Sequence, residues 1–122
     1  MDQTITGKII GAAIEVHRLL GPGLLEFTYE VCLAKEFDLR SIKYQRQKPC
    51  SLTYKDLIVD GACRIDFLIE NEVVLEIKSV EAFSDVHISQ VLTYLHLLKL
   101  RRGLLLNFNV PVLKNGIRRI SL

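Results

Sequence analysis

The segment Cys63–Ser79, CRIDFLIENEVVLEIKS, constrains the fold of this chain more than any other stretch. Two apolar runs flank a short polar stretch, and this pattern predicts a β-hairpin. A three-residue loop over residues 70–72 gives the hairpin one wholly apolar face, whereas a two-residue turn at Asn71-Glu72 mixes polar and apolar side chains on both faces. The longer loop is therefore predicted. It pairs Ile69 with Val73, Phe67 with Leu75 and Ile65 with Ile77.

The predicted register also places two carboxylates, Asp66 and Glu76, directly opposite each other. Opposed carboxylates repel unless positive charge lies between them, and a divalent cation such as Mg²⁺ or Mn²⁺ supplies that charge to hard oxygen ligands. The main-chain carbonyl of Ile77 offers a further oxygen, and Lys78 can polarise an attacking water or stabilise developing negative charge. The hairpin therefore predicts a metal site for hydrolysis. An ordinary solvated pair of cross-strand charges is the alternative at this point.

Periodicities along the rest of the chain predict a mixed α/β fold. Apolar residues recur at helical spacing before and after a GPG turn, which favours two helices packed as an antiparallel pair. The period then changes to two, returns to a helical period, and is followed by an apolar strand and a short basic strand. The predicted order is α-α-β-β-β-α-β-β, with a mixed central sheet flanked by helices. The predicted helices are 4–20, 24–40 and 86–100, and the predicted turns are 21–23, 55–56 and 115–116.

Length, charge and cysteine content restrict the class of protein. At 122 residues the chain is expected to form one domain, 1–122, and its net charge of +2 permits a nucleic-acid partner without requiring one. Its three cysteines form no CxxC motif and its histidines do not cluster at metal-ligand spacing, which disfavours a zinc site or a disulfide framework. The sequence shows no signal-peptide pattern and no apolar run long enough to cross a bilayer. We therefore expect a cytoplasmic protein with no membrane partner.

Three motifs together resemble a known group of enzymes. Asp66 followed by Glu76–Lys78 resembles the signature of the PD-(D/E)XK nuclease superfamily, with Ile65 where the signature has proline. The segment Gly23–Tyr29, GLLEFTY, resembles the defining motif of the GxxExxY family within it. The segment Gln90–Tyr94, QVLTY, is similar to the Gln-x-x-x-Tyr motif of recombination-type exonucleases. The resemblance covers nearly the whole chain and implies a restriction-endonuclease-like three-layer sandwich.

The resemblance implies catalytic roles for the hairpin residues. Asp66 and Glu76 are implied to hold the metal, with the Ile77 carbonyl as a further ligand, and Lys78 to assist the attacking water. Glu26, within the GxxExxY-like motif, is implied to be a third acidic group that reaches the metal directly or through water.

On the helix after the catalytic strand, Gln90 is implied to orient the water or Lys78, and Tyr94 to support it from the same face. His87, three residues before Gln90, could approach the phosphate. Without the resemblance, Glu26 is interpreted as an exposed helix carboxylate, the Gln–Tyr pair as an ordinary polar helix face and His87 as a surface residue of the first turn.

The predicted function is that of a Mg²⁺- or Mn²⁺-dependent nuclease that hydrolyses phosphodiester bonds in DNA, with branched or damaged DNA as candidate substrates. A domain of this size is similar to archaeal Holliday-junction resolvases, which implies a homodimer. The competing prediction is a non-catalytic nucleic-acid- or protein-binding module that keeps the nuclease fold. A glycosidase is disfavoured because a lysine accompanies the acids and no aromatic sugar platform is evident. The candidate phosphate contacts are Arg46, Lys48, Arg101 and Arg102.

Overall fold

The computed structural model describes residues 4–122, in which a five-stranded sheet lies between helices. The helices are α1 (Ile5–Leu20), α2 (Glu26–Leu39) and α3 (Asp85–Leu98), and the strands are β1 (Tyr44–Tyr54), β2 (Leu57–Ile69), β3 (Val73–Lys78), β4 (Arg102–Asn107) and β5 (Ile117–Ser121). A short 3-10 turn, Leu113–Gly116, precedes β5. The predicted mixed α/β class and the predicted order of elements are confirmed.

The strands lie side by side in chain order, β1-β2-β3-β4-β5. All neighbouring pairs are antiparallel except β3 and β4, which are parallel. A parallel pair requires a long crossover connection, and α3 provides it. The crossover therefore places α3 directly after the strand that carries Glu76 and Lys78.

Helices cover both faces of the sheet, and each face has its own apolar core. α1 and α2 pack against Phe67, Leu75 and Leu104. On the other face, α3 packs against Val74 and Leu105. Because side chains alternate along a strand, neighbouring residues of β3 and β4 serve different cores. This double burial explains the continuous apolar runs in these two strands.

The hairpin between β2 and β3 follows the predicted register for two of its three pairs. Its loop covers residues 70–72 as predicted, and Ile69 pairs with Val73 and Phe67 with Leu75. The third prediction is wrong, because Ile65 packs in the core under α3 while Ile77 packs in the core under α1 and α2. Strict alternation along β2 therefore fails between Phe67 and Ile65, at the position of Asp66.

The turn between α1 and α2 is held by one tyrosine. Gly21 ends α1 with a φ of 68°, which glycine adopts without steric penalty. α2 begins at Glu26, two residues later than predicted, and the N–H of Leu24 donates to the Tyr29 hydroxyl at 3.1 Å. That hydroxyl donates in turn to the Gly21 carbonyl at 2.5 Å. In residues 4–122, no helix combines the length and apolar character that crossing a bilayer requires.

Candidate active site

The β2–β3 ladder ends at the Phe67–Leu75 pair, and the two predicted carboxylates lie beyond it. Glu76 Oε1 accepts a hydrogen bond from the main-chain N–H of Asp66 at 3.3 Å. Asp66 Oδ2 accepts one from the main-chain N–H of Ile77 at 2.9 Å. Each carboxyl group thus bonds to the backbone of the opposite strand, and the structure brings Asp66 and Glu76 together.

A local distortion of β1 accompanies this break in the ladder. Gln47, which lies across from Asp66 in the β1–β2 register, has a φ of 54°. This left-handed conformation is uncommon for a residue other than glycine. The residues on both sides of Gln47 keep their register with β2. Backbone conformations of this kind concentrate at functional sites, where surrounding contacts maintain them.

Glu76 is buried between the strands, with only 4% of its surface exposed. Burial, and then the hydrogen bond to Asp66 and the negative charge of Asp66, raise the pKa of Glu76 to about 9. The Asp66 N–H and the positive charge of Lys78 act in the opposite direction but are weaker. Glu76 therefore holds a proton at neutral pH when no cation is present.

A further acidic residue, Glu30 of α2, joins the site although the sequence motifs do not predict it. Glu30 is buried, and its carboxylate forms an ion pair with Arg46 at 2.8 Å. The Gln47 amide donates hydrogen bonds to Glu30 Oε1 at 2.5 Å and to Asp66 Oδ1 at 3.4 Å. Gln47 therefore links the two carboxylates. The signal in the sequence was an acidic residue on the buried stripe of α2, at helical spacing before Leu33, Ala34 and Phe37.

Two of the predicted catalytic residues are exposed and stand apart from these contacts. Glu26 lies in the first turn of α2, one helical turn before Glu30, with its side chain in solvent. Gln90 is exposed on α3. Within residues 4–122 neither side chain forms a hydrogen bond or an ion pair. Their catalytic roles stay predictions that no contact in the structure supports.

The two supporting residues of α3 differ in their surroundings. Tyr94 is buried near the carboxylates, and burial together with the negative charge of Glu76 raises the pKa of Tyr94 to about 12. The hydroxyl of Tyr94 therefore stays protonated at physiological pH. His87 serves the helix instead, because its Nδ1 accepts a hydrogen bond from the N–H of Ser84 at 3.1 Å and caps α3.

Lys78 lies partly exposed at the end of β3. Its charge lowers the pKa of Glu76, so its ammonium acts on the carboxylate pair. Across residues 4–122 this ammonium forms no ion pair. The main-chain carbonyl of Lys78 accepts a hydrogen bond from the N–H of Phe108 at 3.0 Å. The strand end is thus fixed while the side chain is available to a ligand.

The predicted phosphate contacts divide into two groups. Arg46 and Lys48 flank Gln47 on β1 and pair with Phe67 and Ile65, the two neighbours of Asp66 in β2. Arg101 and Arg102 stand at the other end of the sheet, since Arg102 pairs with Val73 while Lys78 pairs with Asn107. The structure does not bring Arg101 and Arg102 to the carboxylate pair.

The donor set fits a hard divalent cation. Asp66 and Glu76 offer carboxylate oxygens from adjacent strands. In the described part of the chain, no three His, Cys, Asp or Glu side chains form a complete metal cluster. Mg²⁺ does not require one, because it is often held by one or two protein carboxylates while water and substrate phosphate fill its other positions. The Ile77 carbonyl stays a predicted ligand.

The fold and the site together define a class of proteins in which two carboxylates and a lysine lie on adjacent strands of a mixed sheet between helices. The family model of the PD-(D/E)XK nuclease superfamily matches residues 3–120. The chain belongs to the PD-(D/E)XK nuclease superfamily, and its structure is consistent with the restriction-endonuclease-like fold. Members of this superfamily are generally nucleases and usually use divalent metals. No curated protein and no solved structure matches the chain.

Proposed function

We propose that this protein is a metal-dependent nuclease that hydrolyses phosphodiester bonds in DNA. The observation that carries the proposal is that the carboxyl groups of Asp66 and Glu76 each bond to the opposite strand. Lys78, whose charge acts on this pair, forms no ion pair within residues 4–122. Burying two acids together costs stability when no positive charge compensates them. A cation provides that compensation. Superfamily membership supports a nuclease, and the Gly23–Tyr29 motif supports placement in the GxxExxY family.

In the proposed active site, Asp66 and Glu76 hold Mg²⁺ or Mn²⁺ with the Ile77 carbonyl as a further ligand. The bound cation supplies an activated water and charge compensation at the phosphate. In the metal-free protein Glu76 holds a proton because it is buried, and it releases this proton when it becomes a metal ligand. Lys78 stabilises the negative charge that develops on the phosphate during attack.

The helices complete the proposed site. Glu30, the buried acid that Gln47 links to Asp66, takes the role of third acidic group, and the exposed Glu26 acts only through water. Gln90 orients the water or Lys78 from α3. Tyr94 supports the carboxylates from the same helix, and His87 contributes by capping it.

DNA is the proposed partner, with branched or damaged molecules as substrates. Arg46 and Lys48 are the proposed phosphate contacts nearest the site, and Arg101 and Arg102 contact phosphates farther along the sheet. A homodimer would place two active sites on a branched molecule. We assign the protein to the cytoplasm on its sequence alone.

A cleavage assay tests the proposal. The purified protein is incubated with labelled branched, single-stranded and duplex DNA, with and without Mn²⁺. We expect cleavage that requires Mn²⁺ and falls more than about 100-fold in Asp66→Asn. Asp60→Asn changes an exposed aspartate of the same strand and should leave cleavage intact. Absence of Mn²⁺-dependent cleavage on every DNA would favour the non-catalytic binding module instead.

A further inference from the structure

The turn between α1 and α2, together with the first residues of α2, exposes an apolar surface next to the proposed active site. We call Leu24, Leu25 and Phe27 the apolar turn. Phe27 has 68% of its surface exposed, Leu25 has 76% and Leu24 has 39%. Scattered exposed apolar residues are common on proteins, whereas a group of them marks a contact surface.

The apolar turn is held in place by its own backbone contacts. The Leu24 N–H donates to the Tyr29 hydroxyl at 3.1 Å, and the Leu24 carbonyl accepts from Ser79 Oγ at 2.7 Å. The Tyr29 ring stacks on Phe108, with centroids 4.6 Å apart and planes inclined by 15°. A surface fixed in this way loses little conformational freedom when it binds a ligand.

Two contacts place the apolar turn at the proposed active site. Ser79, which holds Leu24, directly follows Lys78 in the chain. On the other side, Arg46 Cζ lies 6.0 Å from the centre of the Phe27 ring, and the same arginine forms the ion pair with Glu30. The guanidinium therefore covers part of an aromatic ring that is otherwise open to solvent.

We propose that Phe27 stacks on an unpaired base of the substrate, next to the cleaved phosphate. This inference rests on the proposed nuclease function and narrows its substrate to DNA with unpaired nucleotides. An aromatic ring beside an arginine is suited to a base, which has a flat face for stacking, and to its phosphate, which is anionic. Bases inside a duplex are already stacked on their neighbours, so their faces are not available. A second copy of this chain bound to the apolar turn would cover the proposed active site beside it, so we do not expect a subunit interface there.

Binding measurements in chelator, where a metal-dependent nuclease does not cleave, test this inference. Fluorescence anisotropy compares a duplex with the same duplex carrying a short unpaired stretch. We expect the wild type to bind the unpaired DNA more tightly. Phe27→Ala should weaken that complex about 5- to 100-fold with little effect on the duplex, and Phe27→Tyr should keep the wild-type affinity.

Leu39→Ala provides the matched control, because Leu39 is 66% exposed at the other end of the same helix. It should change neither affinity. Equal weakening of both DNAs by Phe27→Ala, or no wild-type preference for unpaired DNA, would overturn the inference. So would a change from dimer to monomer in sedimentation of Phe27→Ala, since the turn would then be a subunit interface. If the preference depends on Phe27 while no DNA is cleaved in Mn²⁺, stacking stands and the nuclease proposal fails.

Discussion

Glu76 gives the folded protein a pH dependence that can be derived from its surroundings. Burial and the neighbouring Asp66 raise its pKa from 4.5 to about 9. The folded state therefore keeps a proton that the unfolded state releases. The contribution of Glu76 to stability is therefore complete below its pKa in the unfolded state, 4.5. It is lost as the pH rises toward its pKa in the folded state, about 9. We expect the free energy of unfolding of the metal-free protein to fall over this range by at most about 1.4 kcal/mol per pH unit.

Urea unfolding in chelator at several pH values measures this slope. Glu76→Gln should flatten it, because an amide has no proton to lose in this range. Glu26→Gln, a change at an exposed position of α2, should keep the wild-type slope. If Glu76→Gln leaves the slope unchanged, another group is responsible and Glu76 is not protonated in the folded state.

The sequence was sufficient to predict the position of one pair of site residues but not that of a third. The proximity of Asp66 and Glu76 followed from the requirement that the hairpin bury its apolar side chains. Glu30 could not be placed in this way, because its burial depends on Arg46 and Gln47. Those partners come from β1, and only the tertiary fold brings that strand to α2.

β1 contributes to the site through Gln47, whose side-chain amide links α2 to β2 by hydrogen bonds to Glu30 and Asp66. Gln47→Ala removes the hydrogen bonds to Glu30 and Asp66, and we expect it to cost about 1–3 kcal/mol in urea unfolding. Gln47→Gly removes the same bonds but suits the left-handed backbone, so it should be less destabilising than Gln47→Ala. Both variants should lose DNA cleavage to a similar degree, since both release the carboxylates.

Gln45→Ala is the matched control for this prediction. Gln45 lies two residues away on the same strand and is exposed, and its side-chain amide donates a hydrogen bond to Asn71 Oδ1 at 3.3 Å. Its loss should change the free energy of unfolding by less than about 0.5 kcal/mol and leave cleavage unchanged. Equal effects of Gln47→Ala and Gln45→Ala on stability and cleavage would show that the link between α2 and β2 has no functional weight.

Element order was predictable from periodicity, whereas the course of β2 was not. Helical and alternating patterns predicted α1 to α3 and β1 to β5, with the start of α2 and the end of α3 each misplaced by two residues, but they did not predict the short 3-10 turn before β5. The face change between Phe67 and Ile65 escaped prediction because alternation assumes a regular strand. The irregularity coincides with the left-handed backbone conformation of Gln47 on the neighbouring strand. The sequence of β2 contains no information about the backbone conformation of β1.

For the whole molecule, the site and the fold depend on each other. Glu30, Gln47, Asp66, Glu76 and Tyr94 come from α2, β1, β2, β3 and α3, so the site exists only when these elements are assembled. A ligand that binds such a site binds the folded state and not the unfolded chain. Its binding free energy is therefore added to the free energy of unfolding.

Mn²⁺ should consequently raise the melting temperature of the protein. At a concentration 100-fold above its dissociation constant, a cation adds about 2.7 kcal/mol, which corresponds to roughly 8–14 °C for a chain of this size. Asp66→Asn should lose most of this increase, because it removes a ligand charge while it keeps the volume and the acceptor for the Ile77 N–H. In chelator at a pH above about 9, where Glu76 is ionised as well as Asp66, the same variant should melt higher than the wild type, because it relieves the repulsion between the two carboxylates.

Thermal unfolding with increasing Mn²⁺ distinguishes this behaviour from that of a purely structural pair. Asp60→Asn, the exposed control on β2, should respond to Mn²⁺ as the wild type does. A structural pair predicts the reverse pattern: the wild type ignores Mn²⁺, and Asp66→Asn lowers the melting temperature equally with and without the cation. That pattern would mean that the two acids serve only the hairpin, and it would assign the protein to the non-catalytic members of this fold.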